Sequence, residues 1–128
     1  GVWEMTDNLG ISAGTLIENI TAGSGDDTIE GNFKNNLITG GAGDDTLTGG
    51  RANDVFDFTV GFGNDVITDF LAGTDKLKIK DAQGNILTST NLTDSTSGAD
   101  LIITLGSDDI TLEGLAAVTF DNTFLEIT

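Results

Sequence analysis

The sequence predicts an all-β chain in which a flat coil of short parallel strands is followed by antiparallel hairpins. Three observations predict it. A nine-residue pattern of glycine, aspartate and one large apolar residue recurs in the first half. The chain holds 18 glycines and no proline, and beyond Leu71 the nine-residue period gives way to alternation of apolar and polar residues. Short exact periods of this kind mark repeat architectures, whose units bury their apolar faces only by stacking on one another.

The array begins at Ala22. Residues 22–57 divide without gaps into AGSGDDTIE, GNFKNNLIT, GGAGDDTLT and GGRANDVFD. The sixth position reads Asp27, Asn36, Asp45, Asp54, and the eighth reads Ile29, Ile38, Leu47, Phe56. A further copy, VGFGNDVIT, follows the inserted pair Phe58 and Thr59 and places Asp65 and Ile67 at the same two positions. Counting backwards, Ile20 and Ile11 also fall on the eighth position, so residues 1–21 are expected to form degenerate turns that start the stack, residues 22–68 the regular array and residues 69–128 a cap.

Each unit has two halves. The Gly-Gly-x-Gly-x-Asp half suits a tight turn, because glycine reaches positive φ and close backbone approach without a Cβ penalty. The last three residues, such as Thr28, Ile29 and Glu30, make a minimal strand with one apolar side chain inward and its neighbours outward. Two units complete one circuit, so Asp27, Asp45 and Asp65 are expected to stack along one edge and Asn36 and Asp54 along the other.

Charge limits the partners. Twenty-one acidic residues oppose five basic ones, for a formal net charge of −16. Nucleic acid and anionic lipid would repel such a chain, whereas cations would be drawn to it. With 38% hydrophobic residues the chain is expected to fold rather than to act as an acidic tail. No cysteine and no histidine occur, which excludes thiolate and imidazole metal sites and Ser-His or Cys-His catalysis. No apolar run is long enough for a membrane span. The first residue is Gly1 rather than methionine, so the chain is expected to be part of something longer.

The array calls for a metal. One large apolar side chain per unit contributes about 1.5–3 kcal/mol, less than ordering the nine residues around it costs, and stacked aspartates repel one another. A hard divalent cation addresses both deficits. Calcium accepts six to eight oxygens, carbonyl and carboxylate alike, whereas magnesium demands a compact octahedron and keeps its waters.

These units resemble the RTX nonapeptide, Gly-Gly-x-Gly-x-Asp-x-U-x with U large and apolar, over residues 22–76, including DVFDF at 54–58, GFGNDVITDF at 61–70 and GTDKLKI at 73–79. Residues 12–32 are also similar to the lead-in to the roll of serralysin-type metalloproteases. The resemblance implies a right-handed parallel β-roll with several calcium ions between successive turns, a type I secretion signal near the C-terminus, and an upstream catalytic domain. Mapped onto this chain, it implies one site from Gly23, Gly25, Asp27, Gly40, Ala42 and Asp45, and a second from Gly41, Gly43, Asp45, Gly61, Gly63 and Asp65. On the opposite edge it implies Gly49, Gly50, Arg51 and Asp54 sharing an ion with Asp69 and Asp75. Asn36 replaces an aspartate, with Asn32 and Lys34 in place of glycines, so a weak or empty site is expected there. Ala52 replaces a fourth-position glycine and is expected to be strained if that turn requires positive φ.

After the array, Leu77 and Ile79 alternate with Lys76, Lys78 and Lys80, an antiparallel pattern, and residues 81–85 read as a hairpin turn. The lysines read as a solvated face that blunts a strand edge. Leu101, Ile103 and Leu105 before residues 106–109, with Ile110 and Leu112 after them, read as a second hairpin. Residues 89–99 read as a polar loop, residues 115–124 as a short helix or turn, and Phe124, Leu125 and Ile127 as a last strand.

The function that follows is a non-catalytic, secreted calcium-binding module that folds outside the cell and serves a larger protein, for which a metalloprotease is the expectation. The alternative is calcium-dependent polysaccharide binding, although Trp3 is the one tryptophan and there is no tyrosine. A glycosidase-type carboxylate pair is disfavoured, because the aspartates of the array already have a metal role.

Overall fold

A computed structural model describes residues 2–5, 8–10, 18–22, 25–31 and 35–126. Strands β1 (Val2–Met5), β3 (Glu18–Ala22), β5 (Asn36–Thr39), β7 (Val55–Thr59) and β9 (Lys76–Lys80) form a parallel five-stranded sheet in that order. Strands β2 (Asn8–Gly10), β4 (Thr28–Glu30), β6 (Thr46–Thr48) and β8 (Asn64–Ile67) form the facing wall. Successive strands therefore alternate between walls, because a six-residue turn carries the chain across before each short strand begins. The arrangement is a parallel β-roll.

Register follows the eighth position. Ile20 pairs with Ile38, Ile38 with Phe56, and Phe56 with Leu77 on one wall. Ile29 pairs with Leu47, and Leu47 with Ile67, on the other. All seven side chains are fully buried, a single apolar file down the middle of the roll. The inserted Phe58 and Thr59 extend β7, and Phe58 is buried as well. An insertion of two residues preserves which face points inward, so the stack tolerates it.

Two expectations are corrected. At the start of the roll, β2 aligns Leu9 with Ile29; Ile11, expected in that place, lies outside the described residues. Strand β9 pairs in parallel with β7, and the antiparallel pairing expected of it is confined to its far end. Alternation reveals which face is buried but not the direction of the neighbouring strand. The direction was legible elsewhere, since Gly73, Asp75 and Leu77 occupy the fourth, sixth and eighth positions of a degenerate further unit, residues 70–78. The turn at 81–85 does reverse the chain, with Asp81 N–H on the Asn85 carbonyl and a bridge from Lys80 to Ile86.

The facing wall is extended by β12 (Asp108–Leu112), parallel to β8, then by β11 (Asp100–Leu105) and β10 (Thr93–Ser97) in antiparallel order. The expected β11–β12 hairpin is present. Residues 93–97, expected as loop, form an edge strand in which every residue is exposed. With neither face buried, such a strand carries no apolar alternation to read. Aromatic rings contribute to the core at the other wall: Phe70 stacks on Phe124 at 5.6 Å between centroids, and Phe124 meets Phe120 at 5.3 Å. Residues 122–124 form a short 3-10 turn, and Leu125 bridges to Leu77. Ile127 lies outside the described residues. Of the β9 lysines, Lys80 pairs with Asp57 at 3.2 Å and Lys76 donates to the Thr123 carbonyl. Among the described residues no helix is long and apolar enough to cross a membrane.

Candidate metal centre

The sixth-position side chains form two hydrogen-bonded columns. Asp27 N–H donates to Asp45 Oδ1 at 2.8 Å, and Asp45 N–H to Asp65 Oδ1 at 2.7 Å. Opposite, Asn36 N–H donates to Asp54 Oδ1 at 2.9 Å, and Asp54 N–H to Asp75 Oδ1 at 2.9 Å. Each carboxylate thus reaches back to the backbone one circuit earlier, and all of these side chains are buried.

One oxygen of each pairing is thereby engaged. The second oxygens of Asp45, Asp54 and Asp65 are buried with no hydrogen-bond partner. A buried carboxylate oxygen without a donor carries a large desolvation penalty. Burial, followed in size by the opposing backbone hydrogen bonds, leaves Asp45 and Asp54 titrating at about 7 and Asp65 at about 8. Neighbouring carboxylates push in the same direction as burial: Asp27, Asp26 and Asp44 on Asp45, and Asp45, Asp44 and Asp108 on Asp65.

The glycines build the space around these oxygens. A Cβ at Gly40 would run into Asp45 Oδ2, and one at Gly49 into Asp54 Oδ2, so in these two turns the first position must lack a side chain. A Cβ at Gly43 would strike the Gly25 carbonyl oxygen, and one at Gly63 the Gly43 carbonyl oxygen. Fourth-position carbonyls therefore project into the gap between stacked turns. Gly41, Gly50 and Gly61 at the second position, and Gly25, Gly43 and Gly63 at the fourth, all have positive φ. Ala52 shares that conformation at φ 70°, the strained position expected from the sequence.

This donor set fits a hard cation. The described oxygens facing the gaps are carbonyls and carboxylates, and the chain contains no histidine or cysteine. No three acidic side chains converge among the described residues, so an ion would depend on turn carbonyls for part of its shell. Calcium accepts that mixture.

The expected ligands gather as two edges. Gly25, Asp27, Gly40, Gly41, Ala42, Gly43, Asp45, Gly61, Gly63 and Asp65 line one; Asn36, Gly49, Gly50, Arg51, Asp54, Asp69 and Asp75 line the other. Gly23 lies outside the described residues, as do Asn32 and Lys34. Ala42 and Arg51 are exposed, so only their carbonyls could contribute. Asp69 and Asp75 differ from the rest. Asp69 accepts Gly49 N–H and Gly50 N–H at 2.9 and 2.8 Å, and Asp75 accepts Asp54 N–H and Leu71 N–H at 2.9 Å each. Both oxygens of each are engaged by backbone amides, which makes these two aspartates turn staples.

Two sets of residues escaped the sequence reading. Asp108 accepts Gly61 N–H at 2.6 Å and Gly63 N–H at 3.2 Å, tying the C-terminal hairpin to a turn of the array. No local signal announces it. The fifth position is the other. Asp26 Oδ1 accepts Asp44 N–H, Asp44 Oδ1 accepts Asn64 N–H, and Asn35 Oδ1 accepts Asn53 N–H, at 2.9–3.0 Å. This outer ladder runs opposite to the sixth-position columns. Its signal was present: the fifth residue is Asp or Asn in every copy.

A parallel β-roll whose turns stack buried aspartates beside glycine carbonyls is a calcium-binding repeat module and not a catalytic domain. Residues 21–56 match the family model of the RTX calcium-binding nonapeptide repeat in four copies, so the array is an RTX array. The chain is similar in fold to the crystal structure of the extracellular lipase LipA from Serratia marcescens, at 24% identity and a TM-score of 0.66 over 94% of this chain. It spans 19% of the length of that lipase. No curated protein sequence matches the chain.

Proposed function

We propose that this chain is the calcium-triggered folding module of a larger protein exported by a type I pathway. One observation carries the reading: the second oxygens of Asp45, Asp54 and Asp65, buried and without hydrogen-bond partners, lie beside stacked turns. Ionised and unneutralised, these carboxylates oppose closure of the roll. In a calcium-poor cytosol the chain therefore stays open enough to thread a secretion channel. Outside, sites of the extracellular class, with dissociation constants of about 0.1–1 mM, load at ambient calcium. Bound calcium supplies the positive charge and oxygen coordination that these turns lack, and its binding free energy becomes folding free energy.

The proposed ligands on the first edge are Asp27, Asp45 and Asp65 with carbonyls of Gly25, Gly40, Ala42, Gly41, Gly43, Gly61 and Gly63. On the second edge the proposed charged ligand is Asp54, with carbonyls of the 49–52 turn. The parent is proposed to be a secreted hydrolase. Residues 12–32 resemble the metalloprotease lead-in, and the structural neighbour is an extracellular lipase. A His-Glu-x-x-His helix in the parent would support the first and a Gly-x-Ser-x-Gly elbow the second.

Far-UV circular dichroism tests the central reading. The β signal should rise on addition of calcium and fall with chelator. A metal-free chain with full β signal and no calcium uptake by calorimetry would refute it.

A further inference from the structure

The two edges of the roll are not equivalent, and Asn36 is the reason. It occupies the sixth position of its turn, as Asp27 does on the other edge. Its amide nitrogen donates to the Gly49 carbonyl at 3.2 Å and to Asp54 Oδ1 at 3.1 Å, while its own N–H also binds Asp54 Oδ1. A first-position residue and a sixth-position carboxylate of the turn above are the sequence equivalents of Gly40 and Asp45 on the opposite edge, where Asp45 Oδ1 accepts Asp27 N–H. A positively polarised NH2 group therefore sits among the oxygens that a cation would otherwise bridge. Asn36 is only 3% exposed, and Gly49 packs so closely over Gly31 that a Cβ there would meet the Gly49 carbonyl. The turn-to-turn contact is tight and buried, so a neutral amide donor there supplies hydrogen bonds to both oxygens without bringing an ion between the turns.

We propose that the Asn36 amide is a built-in substitute for a calcium ion, so that the contact between turns 31–36 and 49–54 closes without metal. The inference rests on the calcium reading for the opposite edge but concerns a contact that needs none. It makes the contact of Asn36 with Asp54 Oδ1 and the Gly49 carbonyl a metal-independent seam at which the roll begins to assemble, while the second oxygen of Asp54 stays with the proposed ion of the 49–52 turn. The Asp27–Asp45–Asp65 edge has no such amide and waits for calcium at each of its contacts. The substitution of asparagine for aspartate is then not a degenerate repeat but an allocation of one contact to hydrogen bonding.

Two measurements on the full chain decide it. Calcium titration calorimetry of Asn36→Asp, which removes the donor and adds a carboxylate, should show one more ion bound per chain than wild type. An unchanged stoichiometry overturns the proposal. Amide hydrogen exchange by NMR in chelator should show Asn36 N–H exchanging about tenfold or more slowly than Asp27 and Asp45 N–H. In Asn36→Ala that difference should vanish while calcium stoichiometry stays at the wild-type value. Equal exchange at the two edges in metal-free wild type overturns the proposal. If wild type binds no calcium at all, it is the reading of the opposite edge that fails, and the exchange comparison still decides the role of Asn36.

Discussion

Asp45 donates its main-chain N–H to Asp65 Oδ1, and its own Oδ1 accepts the N–H of Asp27, so one residue joins three successive turns on the same edge. Its second oxygen is buried without a hydrogen-bond partner. Removing this side chain deletes the acceptor of Asp27 N–H and the reserve oxygen of a ligand proposed to serve both gaps, while the main-chain N–H to Asp65 stays in place. Asp45→Ala should lower the calcium stoichiometry by more than one ion and raise the midpoint of the calcium titration about tenfold or more, the effect of losing a charge-assisted contact of about 1.5–3 kcal/mol. Asp45→Asn keeps an acceptor for Asp27 and should retain more metal-free structure than the alanine variant. Equal calcium titrations for wild type and Asp45→Ala would count against a shared ligand.

Protons should partly replace calcium. Asp45, Asp54 and Asp65 titrate at about 7, 7 and 8 in the folded roll, above their ordinary value of 3.8, chiefly because burial penalises the charged form. A raised folded-state value means that the stabilising contribution is complete below about pH 4 and is lost as pH rises through 7–8. The metal-free chain should thus gain β signal when taken from pH 8 to pH 5, read by circular dichroism. Calcium uptake near pH 7 should release protons, measured as buffer-dependent heats in calorimetry.

Backbone strain gives a third test. Ala52 stands at φ 70° where Gly25, Gly43 and Gly63 occupy the equivalent position at 110°, 99° and 88°. A left-handed alanine costs about 1–2 kcal/mol, part of which glycine returns through the greater entropy of its unfolded chain. Ala52→Gly should stabilise the calcium-loaded protein by up to about 1 kcal/mol in chemical denaturation. Gly43→Ala should do the reverse and more, since its Cβ would also strike the Gly25 carbonyl.

The outer ladder should matter to stability but not to calcium. Asp44 Oδ1 accepts Asn64 N–H at 3.0 Å on an exposed surface. Asp44→Ala should cost about 0.5–1.5 kcal/mol with unchanged calcium stoichiometry, and Asp44→Asn should cost little. Loss of an ion from Asp44→Ala would move this residue into the metal site.

The central file was legible because its cause is local. A residue every nine positions from Ile20 to Phe56, and Ile67 after the inserted pair, points inward on whichever wall its strand joins, and the period alone names it. Ala52 was legible for the same reason, as a departure from a turn whose conformation the neighbouring copies define. Asn36 was legible as a gap in the acidic column, yet its donation to Gly49 and Asp54 was not. The parallel direction of β9 was legible only in a fragment, since the unit at 70–78 keeps three of the motif positions and its alternation reads equally well as antiparallel.

By itself the sequence determined the repeat, the inward residues, the oxygen-only chemistry and the two edges on which the sixth positions fall. These depend on spacing and residue type within a single unit. The tertiary structure alone decided which carboxylates are committed to the backbone and which keep an oxygen in reserve. Asp69, Asp75 and Asp108 use both oxygens on amide groups, whereas Asp45, Asp54 and Asp65 do not. Apart from Leu71 N–H on Asp75, four residues away, that division arises between groups 18 to 47 residues apart, brought within hydrogen-bonding distance only when the circuits stack.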